Sequence, residues 1–272
     1  MLRNFLISLA CVLSFVVPVS TPVSAQNLGD IVQVEVLPGW RGANGTHTAA
    51  LRVTMAEGWK TYWRSPGEAG IPPRFDWRGS RNLIGVEMIW PTPRITVDHG
   101  MLTIGYTREL VLPMQVLPKS SGQDVRLKGI IEIGVCREVC IPAELRVNTT
   151  LNPGAGQRDP RIAASLANQP YSASEAGVGR VACRVSPTQD GLGLRAEIDM
   201  PRLGGQETAI IEVADPMIWV AKPKTTRQGG RLIAQTSLHH VEGRSFALDR
   251  KGIRVTVLAG GEAVDIQGCP AG

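Results

Sequence analysis

Two of the five cysteines in this 272-residue chain lie close together. The stretch Gly134-Val135-Cys136-Arg137-Glu138-Val139-Cys140-Ile141-Pro142 puts three residues between Cys136 and Cys140, after an apolar β-like run and before a proline. On a helix, positions i and i+4 share a face, but the β-branched run and Pro142 disfavour helix. On two strands joined by Arg137-Glu138-Val139, the cysteines face each other across a hairpin. Opposed residues of this kind sit about 4.5–5.5 Å apart between Cα atoms, within the range of a disulfide. The enclosed loop is tiny, so the bond removes little unfolded-state entropy. Strained or exposed bridges are often the ones that exchange. Exchange needs an accessible sulfur and a thiolate at working pH; Arg137 favours the thiolate and Glu138 offsets it. Spacing alone leaves an inert hairpin staple, a redox couple and a metal clip open.

The N-terminus bears on the redox state of these sulfurs. Arg3, an apolar run over residues 5–17 and the small-residue site Val23-Ser24-Ala25 predict a secretory signal peptide, residues 1–25, cut after Ala25. The apolar run is shorter than the roughly 20 residues of a spanning helix, and no later segment approaches that length. The expectation is a mature protein without stable membrane insertion, which in a bacterium is periplasmic. Without Cys11, the cysteines are Cys136, Cys140, Cys183 and Cys269. An even number in an oxidising compartment favours two disulfides. Spacing suggests Cys136–Cys140 and Cys183–Cys269, although three connectivities exist. A Cys183–Cys269 bridge would be structural, restraining the unfolded chain by roughly 4–5 kcal/mol.

The elements that must position the pair read as β-structure. Thirty glycines and nineteen prolines accompany short alternating runs and few long helical patterns. Residues 31–36, 47–55, 74–77, 86–90, 109–116, 125–135 and 144–151 read as strands, with Pro113 suited to an edge or bulge. A breaker cluster at 152–156 and a short helix over 160–168 mark a change of character, and strands resume from 178. The predicted fold class is all-β: two β-sandwich domains, the first immunoglobulin-like, after a cleaved signal peptide. The expected boundaries are 26–152 for the first sandwich, 153–175 for a linker and 176–272 for the second. Twenty-nine scattered basic residues against 24 acidic ones, with no arginine run among aromatics, argue against nucleic acid as a partner. Trp59, Tyr62 and Trp63 read as core residues, and His239-His240 as surface residues. The chain carries no nucleotide loop, zinc-hydrolase motif or nucleophile elbow, and no cofactor is expected.

The run Gly58-Trp59-Lys60-Thr61-Tyr62-Trp63-Arg64-Ser65-Pro66-Gly67-Glu68-Ala69-Gly70-Ile71-Pro72-Pro73 resembles the N-terminal periplasmic domain of the DsbD/ScsB thiol:disulfide interchange family. So do Trp90-Pro91-x-Pro93, Gly105-Tyr106 followed by Leu112-Pro113, and Cys136-x-x-x-Cys140-Ile141-Pro142-Ala143-Glu144. The similarity covers roughly residues 30–150 in the family's motif order, and the three-residue gap is like the ScsB branch. The resemblance implies an immunoglobulin-like domain with a catalytic pair, Cys136 and Cys140, in a protein-disulfide reductase pathway. In it, Cys140 forms mixed disulfides with thioredoxin-like periplasmic proteins and Cys136 resolves them. It also implies a shielding cap loop, which maps to Asp98, His99, Met101, Leu102 and Tyr106. The family's cap carries an aromatic tip, whereas here Met101 and Leu102 would do the shielding. Full-pathway relatives continue into a membrane electron-transfer domain and a thioredoxin-like domain. The expectation here is a separate membrane electron-transfer protein as donor. The alternative is a non-enzymatic binding or copper-handling module with a structural hairpin disulfide, in which His99 and Met101 beside the cysteines offer soft Cu(I) ligands. No other metal site is expected.

Overall fold

A computed structural model describes residues 27–98, 100–154 and 156–272. The expected signal peptide, Cys11 and His99 lie outside the described residues.

A single helical turn, α1 (Leu28–Ile31), capped by the Asn27 side chain, leads into the first group of strands. These are β1 (Val32–Arg41), β2 (His47–Met55), β3 (Lys60–Gly67), β4 (Arg74–Asp76), β5 (Leu83–Met88), β6 (Arg94–Asp98), β7 (Met101–Thr107), β8 (Glu109–Pro118), β9 (Val125–Cys136) and β10 (Cys140–Leu151). They form two sheets, ordered β1-β2-β8-β5 and β10-β9-β3-β7-β6, with β4 added on β9. Alternate residues of both sheets meet in one core: Leu51 and Val53 of β2 and Leu112 and Met114 of β8 pack with Trp63, Ile104, Leu127, Ile131 and Leu145. This is the sandwich that the alternating runs predict.

Pro113 departs from the edge position expected of it. It lies opposite Ala50 within β8, a strand flanked on both sides. Its carbonyl accepts from Ile89 N (2.8 Å), just past the end of β5. The missing N–H faces that same side, where the ladder has stopped, so the proline interrupts no sheet bond.

The expected short helix is α2 (Pro160–Ala167), with proline in its first turn and Asp159 as the N-cap accepting from Arg161 N. Its Ile162 is buried against Leu37 and Ala50, so the helix packs on the first sandwich. The remaining strands are β11 (Tyr171–Ser172), β12 (Val181–Thr188), β13 (Gly191–Asp199), β14 (Thr208–Glu212), β15 (Ile218–Val220), β16 (Lys224–Gln228), β17 (Arg231–His240), β18 (Arg254–Ala259) and β19 (Glu262–Gln267). They form sheets ordered β11-β19-β18-β14 and β12-β13-β17-β15, with β16 also on β17. Their core includes the bridged cysteines Cys183 and Cys269, each about 1% exposed and 5.4 Å apart between Cα atoms. Ile210, Leu258 and Ala263 turn the other way and join the core of the first sandwich.

One buried ionisable group in the first sandwich sets an acid limit. His47 is fully buried; its Nδ1 accepts from Arg41 Nε (3.2 Å) and its Nε2–H donates to the Pro38 carbonyl (2.5 Å). Burial pushes its pKa below the ordinary 6.5, the Pro38 carbonyl pulls it back, and the Arg41 charge lowers it further. Below about pH 6.5 the unfolded chain takes up a proton that the folded chain resists. Stability is therefore full above that pH and falls as pH drops toward the folded-state value. Urea midpoints should decline from about pH 7.5 to about pH 5. His47→Gln, less stable overall, should lose that part of the slope; an unchanged slope would remove His47 from the acid response.

Candidate redox site

The β9–β10 hairpin carries the cysteine pair. Its register runs without a slip from Val125 opposite Leu151 to Cys136 opposite Cys140. Odd-numbered residues from Val125 to Val135 point into the core, apart from Gly129, which has no side chain to point. Cys136 therefore stands on the outer face, as does Cys140 opposite it. The Arg137 N–H bonds to the Val139 carbonyl (3.2 Å) and closes the turn, and the Arg137 guanidinium lies 5.4 Å from the centre of the Trp59 ring. The cysteines are disulfide-bonded, with Cα atoms 4.1 Å apart.

The two sulfurs are not equivalent. Cys136 lies in β9, which is paired on both sides: Cys140 is opposite it on β10 and Lys60 on β3. Cys140 opens β10, the edge strand of that sheet. Cys136 is accordingly 2% exposed, whereas Cys140 is classed with the exposed residues.

The loop after β3 folds over this outer face. A Cβ on Gly134 would sit 2.7 Å from the Ile71 Cβ, and one on Gly70 would sit 2.7 Å from Tyr62 Cδ1, so only glycine allows the cover to approach this closely. Beside it, Ile71, Pro72, Arg74 and Glu132 line a cleft of about 410 Å³ with Pro142 and Glu144 of the cysteine hairpin.

Under this cover lies Tyr62, 2% exposed, with its hydroxyl 3.4 Å from Cys140 Sγ. A disulfide sulfur has no proton, so the hydroxyl is the donor. Lys60 lies two residues away on the same face. Its Nζ is 5.8 Å from the centre of the Tyr62 ring and donates to Thr103 Oγ1 (2.9 Å). Once the bridge is reduced, the Tyr62 donor favours the Cys140 thiolate over the thiol. Tyr62 is buried, as expected of a core residue. The missed signal was its hydroxyl, because a buried tyrosine needs a partner where a phenylalanine does not.

The cap residues divide by strand parity. Asp98 and Met101 pair at the tip of the β6–β7 hairpin. Met101 is 45% exposed and, in phase with Gly105 opposite Tyr62, stands on the face of the cysteine pair. Leu102 and Tyr106 are in the opposite phase. Leu102 packs against the core; Tyr106 is buried there and donates its hydroxyl to the Pro91 carbonyl (2.7 Å). Burial raises the Tyr106 phenol well above its ordinary pKa, against a smaller lowering effect from the Arg64 charge. Among the described residues no group of three or more His, Cys, Asp or Glu is arranged to hold a metal.

Residues 31–152 match the model of the family described as thiol:disulfide interchange protein DsbD, N-terminal. No curated protein matches the chain by sequence. Among solved structures, the chain is similar to the crystal structure of the N-terminal periplasmic domain of ScsB from Proteus mirabilis. The identity is 22% and the TM-score 0.68, over 91% of this chain and 96% of that one. At this identity the likeness shows the fold, and it extends well beyond residues 31–152. Among the described residues no helix is long and apolar enough to cross a membrane.

Tyr62→Phe removes the donor to Cys140 and keeps the ring. In a Cys136→Ser background, the apparent pKa of the Cys140 thiol should rise by about one unit, the scale of a hydrogen bond to a charged group facing water. Iodoacetamide alkylation rates across pH measure this, and an unmoved midpoint would show that Tyr62 does not act on the thiolate.

Proposed function

We propose that this protein is a periplasmic thiol:disulfide interchange protein, relaying electrons through Cys136 and Cys140 from a separate membrane electron-transfer protein to oxidised thioredoxin-like proteins. The observation that carries the reading is the asymmetry of the pair: Cys140 exposed at an edge strand, Cys136 buried one strand inward. The redox unit spans residues 26–152, and the second sandwich (176–272) follows a linker at 153–175.

In the reduced protein, the Cys140 thiolate attacks one sulfur of a partner disulfide. A Cys140–partner disulfide forms and the partner's other sulfur leaves as a thiolate. Cys136 gives its proton to solvent and attacks Cys140 Sγ, displacing the partner's second thiolate. The partner gains two electrons and the Cys136–Cys140 bond is restored. The membrane protein then reduces the bond by the same steps in reverse. The Tyr62 hydroxyl serves the Cys140 thiolate both as attacking and as leaving group.

Cys136→Ser should accumulate mixed disulfides with thioredoxin-like proteins through Cys140, and Cys140→Ser should accumulate none. Non-reducing gels of whole periplasm check this; if neither variant captures a partner, the relay reading fails. A reduction potential below about −300 mV for the Cys136–Cys140 bond would instead assign an inert staple, and copper titration of the reduced protein tests the Cu(I) alternative.

A further inference from the structure

The segment that seats Tyr62 has little sheet bonding of its own. β3 pairs with β9 only through Lys60 and Thr61. Its pairing with β7 stops after Tyr62 and resumes at Gly67 across a shift in register. Residues 63–66 lie between the paired positions of β3, and among them the Arg64 side chain is held by the second sandwich.

At one end, the Arg64 guanidinium bonds both oxygens of Glu212 (3.0 Å each) and donates to Thr256 Oγ1 (3.2 Å). It also lies 4.0 Å from the Asp265 carboxylate and 4.0 Å from the centre of the Trp63 ring. These groups sit on three neighbouring strands, β14, β18 and β19. Burial opposes ionisation of Asp265, but the Arg254 hydrogen bond and the charges of Arg254 and Arg64 outweigh it, so its pKa lies below the ordinary value. The side chains of Arg64 and Glu212 are 16% and 23% exposed, and Ile210, Leu258 and Ala263 close the apolar part of the contact. At the other end, Lys222 Nζ donates to Glu68 Oε2 (2.8 Å), the same oxygen that accepts the Leu102 N–H (2.8 Å). The Glu68 N–H in turn bonds the Leu102 carbonyl (2.8 Å), which ties the β6–β7 hairpin to the loop covering Tyr62.

We infer that Glu212 and Lys222 are positioning residues for the redox pair: the second sandwich fixes both ends of segment 64–68 and thereby holds the Tyr62 hydroxyl on Cys140. The inference rests on the interchange function proposed above and gives the second sandwich a part in it. The two anchors differ in strength. A bidentate, half-buried Arg–carboxylate pair is strong and geometrically specific. The Lys222–Glu68 pair is about 47% and 36% exposed and weak by itself. Glu212 should therefore matter more.

The test uses the full mature chain carrying Glu212→Gln, Lys222→Met or both, with Lys222→Arg as the conservative control. Reduction potentials are measured with both cysteines present, and alkylation profiles in the Cys136→Ser background. The double variant should raise the apparent pKa of Cys140 and slow its alkylation near neutral pH by about three- to tenfold. Lys222→Met alone should move it in the same direction by less, and Lys222→Arg should restore it. In a Tyr62→Phe background the same substitutions should add nothing, because they act through that hydroxyl. A merely structural contact would lower the melting temperature and leave profile and potential unmoved. If Glu212→Gln fails to fold, Lys222→Met and its Arg control carry the test. A wild-type pair that exchanges normally, with variants whose profiles are unchanged or additive with Tyr62→Phe, overturns this inference alone. A wild-type pair that resists reduction overturns the interchange function as well.

Discussion

The register of the β9–β10 hairpin is the constraint on which the rest of the site depends. The inward positions Val125, Leu127, Ile131 and Ile133 meet Ala143, Leu145, Val147 and Leu151 from the facing strand and bury them in one core. A slip of one residue would turn all of these to solvent, a cost far beyond any local gain. With the inward set pinned, the outward set is pinned too, and Cys136 and Cys140 belong to it. The hydrophobic core thus fixes the reacting atoms without containing them. The sulfurs sit on the outer surface of a sheet whose inner surface does the folding, and their chemistry is separable from stability.

That outer face is then given unequal depth. An edge strand exposes Cys140, while β3 and the loop after it cover Cys136 and Tyr62. The cover fits because Gly70 and Gly134 let the Tyr62 ring and Ile71 approach where a side chain would collide. One exposed and one buried sulfur is the arrangement that exchange with a large partner requires. In the proposed exchange a partner's sulfur reaches Cys140, and Cys136 stays out of its reach while bonded to Cys140.

Much of this was legible in the sequence because alternation is a local signal. The runs 125–135 and 144–151 gave the hairpin, and a short helix was legible over 160–168, where α2 lies. The same period-two rule, applied to Met101-Leu102-Thr103-Ile104-Gly105-Tyr106, puts Met101 on one face and Leu102, Ile104 and Tyr106 on the other. Of the residues that the resemblance maps to the cap, the structure turns Leu102 and Tyr106 toward the core. Other features were not local. The Tyr62 contact with Cys140 joins residues 78 apart and the Arg64–Glu212 pair residues 148 apart. No spacing rule connects positions so distant. Pro113 is an intermediate case: a central strand accepts it because its neighbour β5 ends at Met88.

The two disulfides divide the work of the chain in a way their loop lengths explain. Cys183 and Cys269 are 86 residues apart, both buried, and their bond restrains the unfolded chain by roughly 4–5 kcal/mol in the chain-entropy treatment. Cys136 and Cys140 are four apart, and the same treatment gives only about 2 kcal/mol. A domain with a core as continuous as that of the first sandwich can lose the smaller amount and stay folded. A bond that must open and close in every cycle has to be one whose opening does not unfold its host. The short hairpin loop, which makes this bridge a poor staple, is thus what suits it to the electron-carrying role proposed for it. The long loop makes Cys183–Cys269 unsuited to that task, and its burial keeps partner thiolates away from it.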